Sequence, residues 1–278
     1  MQITKFLWCL IIVCLAACTK QDPQPVNINF ERIQLFKANR LYEEFERNKE
    51  ATWLENRRYE SALSDASGRP PLLARSRYAF NDQNQLIASE HEGYATICGF
   101  CPSPTPPSSS ATSHYTLTYE YKNGLLTQAN RQEIRNSQPA TVGKTLFHFN
   151  AKGQLERVEQ WYGFSGPLTL FETLAFQYDA RGNLRQQERF AANGFKQEVL
   201  TYQYDDKPNP FYSLKLPEFA PRYLSPNNVV HTHRRIFDPA DLPDTIRQEE
   251  ETKKYTYSAE GWPTSIEADN QTLTVMYR

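Results

Sequence analysis

The chain has 278 residues, 31 Lys and Arg against 32 Asp and Glu, and a formal net charge of -1. That balance argues against nucleic acid and anionic lipid as partners, since both call for a basic face. Aromatic residues make up 13% of the chain, beside only 11 Gly and 2 Met. Rings pack well on pleated surfaces, so β structure is the first expectation.

Met1 to Lys5 carries one positive charge and precedes an apolar run of twelve residues, Phe6 to Ala17. This is the layout of a secretory signal, and it falls short of the roughly 20 apolar residues that a spanning helix requires. The run closes on Leu15-Ala16-Ala17-Cys18, which resembles the lipobox of bacterial lipoproteins. The resemblance implies removal of residues 1–17 and lipid modification of Cys18. Each buried CH2 of such acyl chains contributes about 0.8 kcal/mol, so several chains anchor a soluble domain without spanning the bilayer. Thr19, standing where Asp would resemble an inner-membrane retention signal, points to the outer membrane; whether the domain faces the periplasm or the outside stays open. Removing residues 1–17 deletes only Lys5 among the charged residues and leaves a mature net charge of -2. Residues 18–26, with Pro23 and Pro25, read as a tether.

Residues 27–75 read as a segment that completes a sheet, with strands around Phe30–Phe36 and Leu41–Phe45. Ile33, Phe36, Leu41 and Phe45 also fit helical spacing, so a short N-terminal helix is the alternative.

Residues 76–278 repeat one phrase: two aromatics one residue apart, a polar residue, a Gly- or Asn-centred turn, then Leu. Tyr78-Ala79-Phe80-Asn81 leads to Leu86, Tyr119-Glu120-Tyr121 to Gly124 and Leu125, and Phe147-His148-Phe149-Asn150 to Gly153 and Leu155. Phe176-Gln177-Tyr178-Asp179 leads to Gly182 and Leu184, and Tyr255-Thr256-Tyr257 to Gly261 and Trp262. Residues i and i+2 of a strand share a face, so each phrase predicts two rings side by side and a hairpin turn. Asn or Asp there accepts backbone N-H bonds, and Gly supplies positive φ. An isolated hairpin is marginal, so neighbouring hairpins must complete one another.

Counted on the second aromatic, the steps are 28 from Tyr121 to Phe149, 29 to Tyr178, 26 to Tyr204 and 53 to Tyr257. The last suggests a worn copy at Arg235-Ile236-Phe237-Asp238 with Leu242-Pro243, and another is expected at Tyr59 with Gly68-Arg69-Pro70 as its turn. Two departures interrupt the repeat. Residues 98–113 form a Pro/Ser-rich loop, and residues 205–228, with five prolines, are expected as a loop across the sheet or its edge.

Phe176 to Leu184 resembles the unit of the YD-repeat (Rhs-like) proteins, aromatic-x-aromatic-Asp-x-x-Gly-x-Leu. The chain is also similar, at Tyr204–Phe211 and Ser225–Val230, to small bacterial lipoproteins carrying degenerate copies of that unit. Large members wrap strands into a shell around a toxin domain. With so few copies here, the resemblance implies an all-β fold, an open, curled antiparallel sheet of successive hairpins.

Cys98-Gly99-Phe100-Cys101 is the only CxxC. Pro102, Pro104, Pro106 and Pro107 exclude a thioredoxin-type helix after it, so a structural disulfide in an oxidising compartment is the first reading. A zinc site completed by His91 and His114 is the lesser one. His231-Thr232-His233 reads as solvated or locally bonded, and Asp205-Asp206 with Asn209 as turn capping rather than calcium ligation. No catalytic, phosphate-binding or dinucleotide motif occurs, and no cofactor or metal is expected. Trp161, Tyr162 and Trp262 are the candidate ligand platform. The reading is a non-catalytic, lipid-anchored envelope protein with an interaction or structural role toward a protein or glycan partner; a glycan-binding or glycan-processing accessory lipoprotein is the alternative.

Overall fold

The computed structural model describes residues 30–38, 40–48, 52–59, 72–94, 111–135, 138–163, 166–238, 246–268 and 271–278. They form sixteen strands: β1 (Arg32–Lys37), β2 (Arg40–Arg47), β3 (Trp53–Tyr59), β4 (Leu72–Phe80), β5 (Leu86–Tyr94), β6 (Ala111–Lys122), β7 (Leu125–Arg135), β8 (Gln138–Phe149), β9 (Leu155–Tyr162), β10 (Thr169–Tyr178), β11 (Leu184–Ala191), β12 (Lys196–Pro208), β13 (Asn227–Phe237), β14 (Ile246–Tyr257), β15 (Pro263–Ala268) and β16 (Gln271–Tyr277). Between β12 and β13 lie a 3-10 turn (Pro210–Leu214) and a single helical turn, α1 (Pro221–Leu224). Among the described residues no helix is long and apolar enough to cross a membrane.

Each strand pairs antiparallel with its chain neighbours, and β1 pairs with β16 from Ile33–Tyr277 to Lys37–Leu273. Successive hairpins are present as the repeat predicts, but the sheet is a closed barrel rather than an open curl. Closure rests on a contact between segments at opposite ends of the sequence, which a local hairpin signal does not carry. The helical alternative for the N-terminal segment gives way to β1 and β2. There Ile33, Leu35 and Phe45 turn inward, and a register shift between Leu35 and Phe36 corrects the alternation.

The aromatic pairs fall on β4, β6, β8, β10, β12 and β14, so all their turns gather on one rim of the barrel. Asn81 accepts the N-H groups of Gln83 and Gln85 at 3.0 and 2.9 Å, Asn150 those of Lys152 and Gln154 at 2.9 and 3.0 Å, and Asp179 those of Arg181 and Asn183 at 2.8 and 2.9 Å. A residue at positive φ follows, Asn84 (57°), Gly153 (75°) or Gly182 (85°). A register shift then sets Leu86 opposite Phe80, Leu155 opposite Phe149 and Leu184 opposite Tyr178. The bulge therefore brings the leucine to the same lumenal face as both rings. The β6–β7 turn is shorter, with Asn123 and Gly124 both at positive φ. Its inward position passes to Leu126 opposite Tyr121, leaving Leu125 exposed.

Tyr59 and Phe237 sit on β3 and β13, whose onward turns lie on the far rim, so neither marks a copy; Gly68-Arg69-Pro70 and Leu242-Pro243 lie outside the described residues. The worn copy on the repeat rim is β2–β3, where Asn48 accepts the Trp53 N-H at 2.9 Å. The 53-residue step from Tyr204 to Tyr257 is a single repeat enlarged by an insertion. Asp205 accepts the N-H groups of Lys207 and Asn228 at 3.0 and 3.1 Å, the bonds Asp179 makes to Arg181 and Asn183. Asn183 stands 4 residues after its Asp and Asn228 stands 23 after, so 19 residues are inserted.

That insertion enters the lumen instead of lying across the sheet or its edge. Phe211 meets Phe45 of β2 (ring centroids 5.6 Å apart), and Tyr78 of β4 donates to Glu218 at 2.7 Å. Phe219 meets Phe147 of β8 and Phe176 of β10 at 6.2 and 6.1 Å, and Ser225 donates to Tyr204 of β12 at 2.9 Å. Only the interior reaches all these walls. Sixteen strands enclose more space than their own side chains fill, and Phe211, Leu214, Leu216 and Tyr223 supply part of the missing core. Asn209 fastens the insertion, donating to the carbonyls of Arg222 and Ser225 at 2.7 and 2.8 Å.

The outer face is charged. Arg57 pairs with Glu44, Glu46 and Glu55 at 2.9, 3.1 and 2.7 Å, Arg77 with Glu55 at 3.2 Å, and Arg75 with Glu92 at 2.8 Å, crossing β2 to β5. A membrane-spanning barrel shows an apolar band outward; here the repeat's rings and leucines face in, and the outer face of β2 to β5 carries crossed ion pairs.

Candidate functional site

Below the insertion, toward the far rim, the lumen holds a cavity of about 660 Å3, and beside it a second of about 200 Å3. A belt of stacked side chains runs across the strands from the larger cavity to the smaller, with Tyr115 lining both. His91 of β5 lies edge-on to Tyr78 at 5.7 Å and stacks on Tyr115 of β6 at 4.7 Å with 16° between the planes. The Arg131 guanidinium of β7 sits 3.8 Å from the Tyr115 ring centre and 5.8 Å from that of Tyr162 on β9. Tyr162 reaches Arg131 across β8 because Gly143 lies between them: a Cβ there would stand 2.9 Å from the Trp161 carbonyl oxygen and from the Tyr162 ring.

Both ring nitrogens of His91 are engaged, Nδ1 with Ser76 at 2.9 Å and Nε2 with Ser89 at 2.8 Å. Burial, helped by the Arg131 charge, lowers its pKa to about 4. It is a neutral, clamped imidazole, with no free nitrogen for acid-base work.

Two ion-pair groups flank the cavity. The buried Glu43 carboxylate accepts both Arg222 N-H groups at 2.9 and 3.1 Å, Arg58 at 3.2 Å and Asn56 at 3.1 Å. Burial raises its pKa, but the Arg222 charge and these bonds outweigh it and hold the group below the usual carboxylate range. Across the lumen, Arg189 lies 3.6 Å from both Glu172 and Glu198. Burial raises the Glu172 pKa. The shared arginine makes this pair a structural bridge rather than a separated acid and base.

The platform expected from Trp161, Tyr162 and Trp262 is not assembled. Trp161 and Tyr162 are adjacent on β9 and therefore face opposite ways; Tyr162 lines the smaller cavity, while Lys144 lies 5.0 Å over Trp161 and Glu159 accepts its indole N-H at 3.2 Å. Trp262 stands at the repeat rim, edge-on to Phe30 at 5.5 Å. The zinc reading also fails, because His91 faces the lumen and His114 the outside, where it pairs with Glu90 at 2.9 Å. Glu90, Glu92 and His114 cluster within 4.8 Å on that outer face, but Arg75 already binds Glu92. His231 and His233 are locally bonded as expected, to Thr252 and Gln248, both at 3.2 Å. Asp205 caps its turn, also as expected. Cys18, Cys98 and Cys101 lie outside the described residues. The belt escaped sequence reading because its members come one per strand; the alternation placing His91, Tyr115 and Arg131 inward was its only signal.

No family model and no curated protein matches the chain. Among solved structures it is similar to a porin-like protein from Bacteroides uniformis (13% identity, 90% of this chain and 98% of that one, TM-score 0.41). A porin-like protein from Bacteroides vulgatus matches at 8% identity over 90% of this chain and 99% of that one, with a TM-score of 0.40. A DUF3836 family protein from Parabacteroides distasonis matches at 10% identity over 49% of this chain and 87% of that one, with a TM-score of 0.24.

Proposed function

We propose that the chain is a non-catalytic, lipid-anchored cell-envelope protein whose barrel stands in water beside the outer membrane and serves as a binding module. The observation that carries this reading is the polarity of the wall: crossed ion pairs outward, rings and an inserted segment inward. Burying such an exterior in hydrocarbon would cost about 2–4 kcal/mol for each Arg or Lys near the midplane. The insertion occupies the lumen toward the repeat rim and leaves a cavity of about 660 Å3 beneath it. The lipobox-like Leu15-Ala16-Ala17-Cys18 supplies the anchor, and the YD-like hairpins supply the scaffold.

Two measurements test it. Cys18→Ser should move the protein from the membrane to the soluble fraction, and unchanged fractionation would overturn the anchoring. The purified full chain added to planar bilayers should produce no conductance steps. Stable single-channel currents would overturn the water-facing barrel.

A further inference from the structure

We propose that the larger lumenal cavity is a binding site for a neutral, polyhydroxylated small molecule of mono- to disaccharide size. This deepens the binding-module reading by naming a ligand class, and it does not depend on the anchor.

The volume of about 660 Å3 lies within the roughly 300–1,000 Å3 range of small-molecule sites. Charge decides the class first. Arg58 and Arg222 pair with Glu43 at 3.2 and 2.9 Å and also feel the charge of Glu218, so two cations meet two carboxylates, and Arg189 lies between Glu172 and Glu198 at 3.6 Å each. The wall offers a ligand no surplus charge of either sign.

Hydrogen-bonding capacity decides it next. Asn56 is 4% exposed, lines the cavity and gives its N-H to Glu43, while its buried Oδ1 has no partner among the described residues. On the opposite wall, the buried Nε of Arg189 makes no hydrogen bond among the described residues, since 3.6 Å to either carboxylate is too long. Leaving such atoms unpaired costs about 1–3 kcal/mol each. Both atoms are covered in this side-chain arrangement and are presented to the cavity by rotation of the Asn56 amide and the Arg189 guanidinium; one then needs a donor and the other an acceptor, and a hydroxyl supplies both. Gln160, whose carbonyl takes the Tyr162 hydroxyl at 3.4 Å, keeps its amide N-H groups. Leu174 and Phe219 give the apolar surface on which the C-H face of a sugar packs.

The test is calorimetric titration of the full chain in detergent with maltose, cellobiose and sucrose, with maltohexaose and cellohexaose, and with glucuronate and glucosamine as charged comparators. At least one neutral sugar should saturate with a Kd below about 1 mM. Equal affinity for the matching hexaose would identify a glycan chain end as the source, and preference for the disaccharide a free sugar; either supports the site. Ala74→Trp, which fills the cavity from β4, should abolish binding, and Gln160→Ala should weaken it about tenfold, one hydrogen bond's worth. Both variants are first checked for wild-type circular dichroism, and if one fails to fold the other decides. No saturation by any neutral sugar, equal binding of the charged comparators, or unchanged affinity in the folded variant would overturn the proposal. None of these results bears on the Cys18 fractionation, so the two failures are distinguishable.

Discussion

Asp205 holds the backbone N-H of Asn228 at 3.1 Å as Asp179 holds that of Asn183 at 2.9 Å. Asn228 and Asn183 also return their side-chain N-H groups to the same aspartates, at 3.2 and 3.3 Å. The turn geometry survives although a lumenal segment has been threaded through it. Asp205 further accepts the Tyr257 hydroxyl of the next repeat, which ties the gate of the insertion to its neighbour.

Asp205→Ala should therefore destabilise the protein by about 2 kcal/mol, the loss of several charge-assisted bonds. Asp206→Ala, at a side chain 77% exposed, should stay within about 0.5 kcal/mol. Urea unfolding of the two variants checks the contrast, and equal midpoints would contradict it.

Arg222 joins the insertion to β2 through Glu43, whose side chain is 3% exposed. Arg222→Met leaves that carboxylate short of its main partner and should cost about 3–5 kcal/mol, whereas Arg222→Met with Glu43→Leu should recover most of the loss. Because the folded pKa of Glu43 is depressed, its contribution is complete above the unfolded value and is lost as pH falls through the lower folded one. The destabilisation by Arg222→Met should accordingly shrink in acid, read from denaturation midpoints at pH 7 and pH 3.

His91 titrates in the other window. Its folded pKa is about 4 against 6.5 for the free side chain, so between these values the unfolded chain binds a proton that the folded one does not. Stability should be level above about pH 6.5 and fall as pH drops toward 4. His91→Gln, which keeps a donor and an acceptor, should flatten that slope; an unchanged profile would assign it to the carboxylates.

Gly143 has no room for a side chain beside Trp161 and Tyr162. Gly143→Val should cost about 1–3 kcal/mol by overpacking and displace Tyr162 from Arg131. A changed tyrosine near-ultraviolet dichroism would report the displacement. Gly166→Val, at an exposed glycine with open space around its Cβ position, is the control.

Much of the hairpin unit was legible in the sequence because its determinants are local: Tyr78 and Phe80, Asn81, then Leu86 all act within one turn. The phase was not. Tyr59 and Phe237 carry suitable residues, but on strands that turn at the other rim, and composition does not distinguish rims. Barrel closure depends on Leu35 meeting Val275, and the destination of residues 209–226 on Phe45, Tyr78 and Phe147, contacts that no nearby residue announces. Five prolines say that a segment is not strand; they do not say which side of the wall it occupies. The candidate platform failed for a reason the strand period already contained, since neighbours such as Trp161 and Tyr162 cannot share a face. The cavity wall was illegible because Asn56, Gln160 and Arg189 become a set only when the sheet is bent into a ring.

The five residue pairs between β1 and β16 also decide how this protein behaves among copies of itself. An open sheet of such hairpins would end in two strands with unused N-H and C=O groups, the template on which sheets recruit one another into aggregates. On the proposed lipid anchor, copies would be crowded in two dimensions, where that hazard is greatest. With the seam shut, none of the described strands is left at an edge with a ladder to lend.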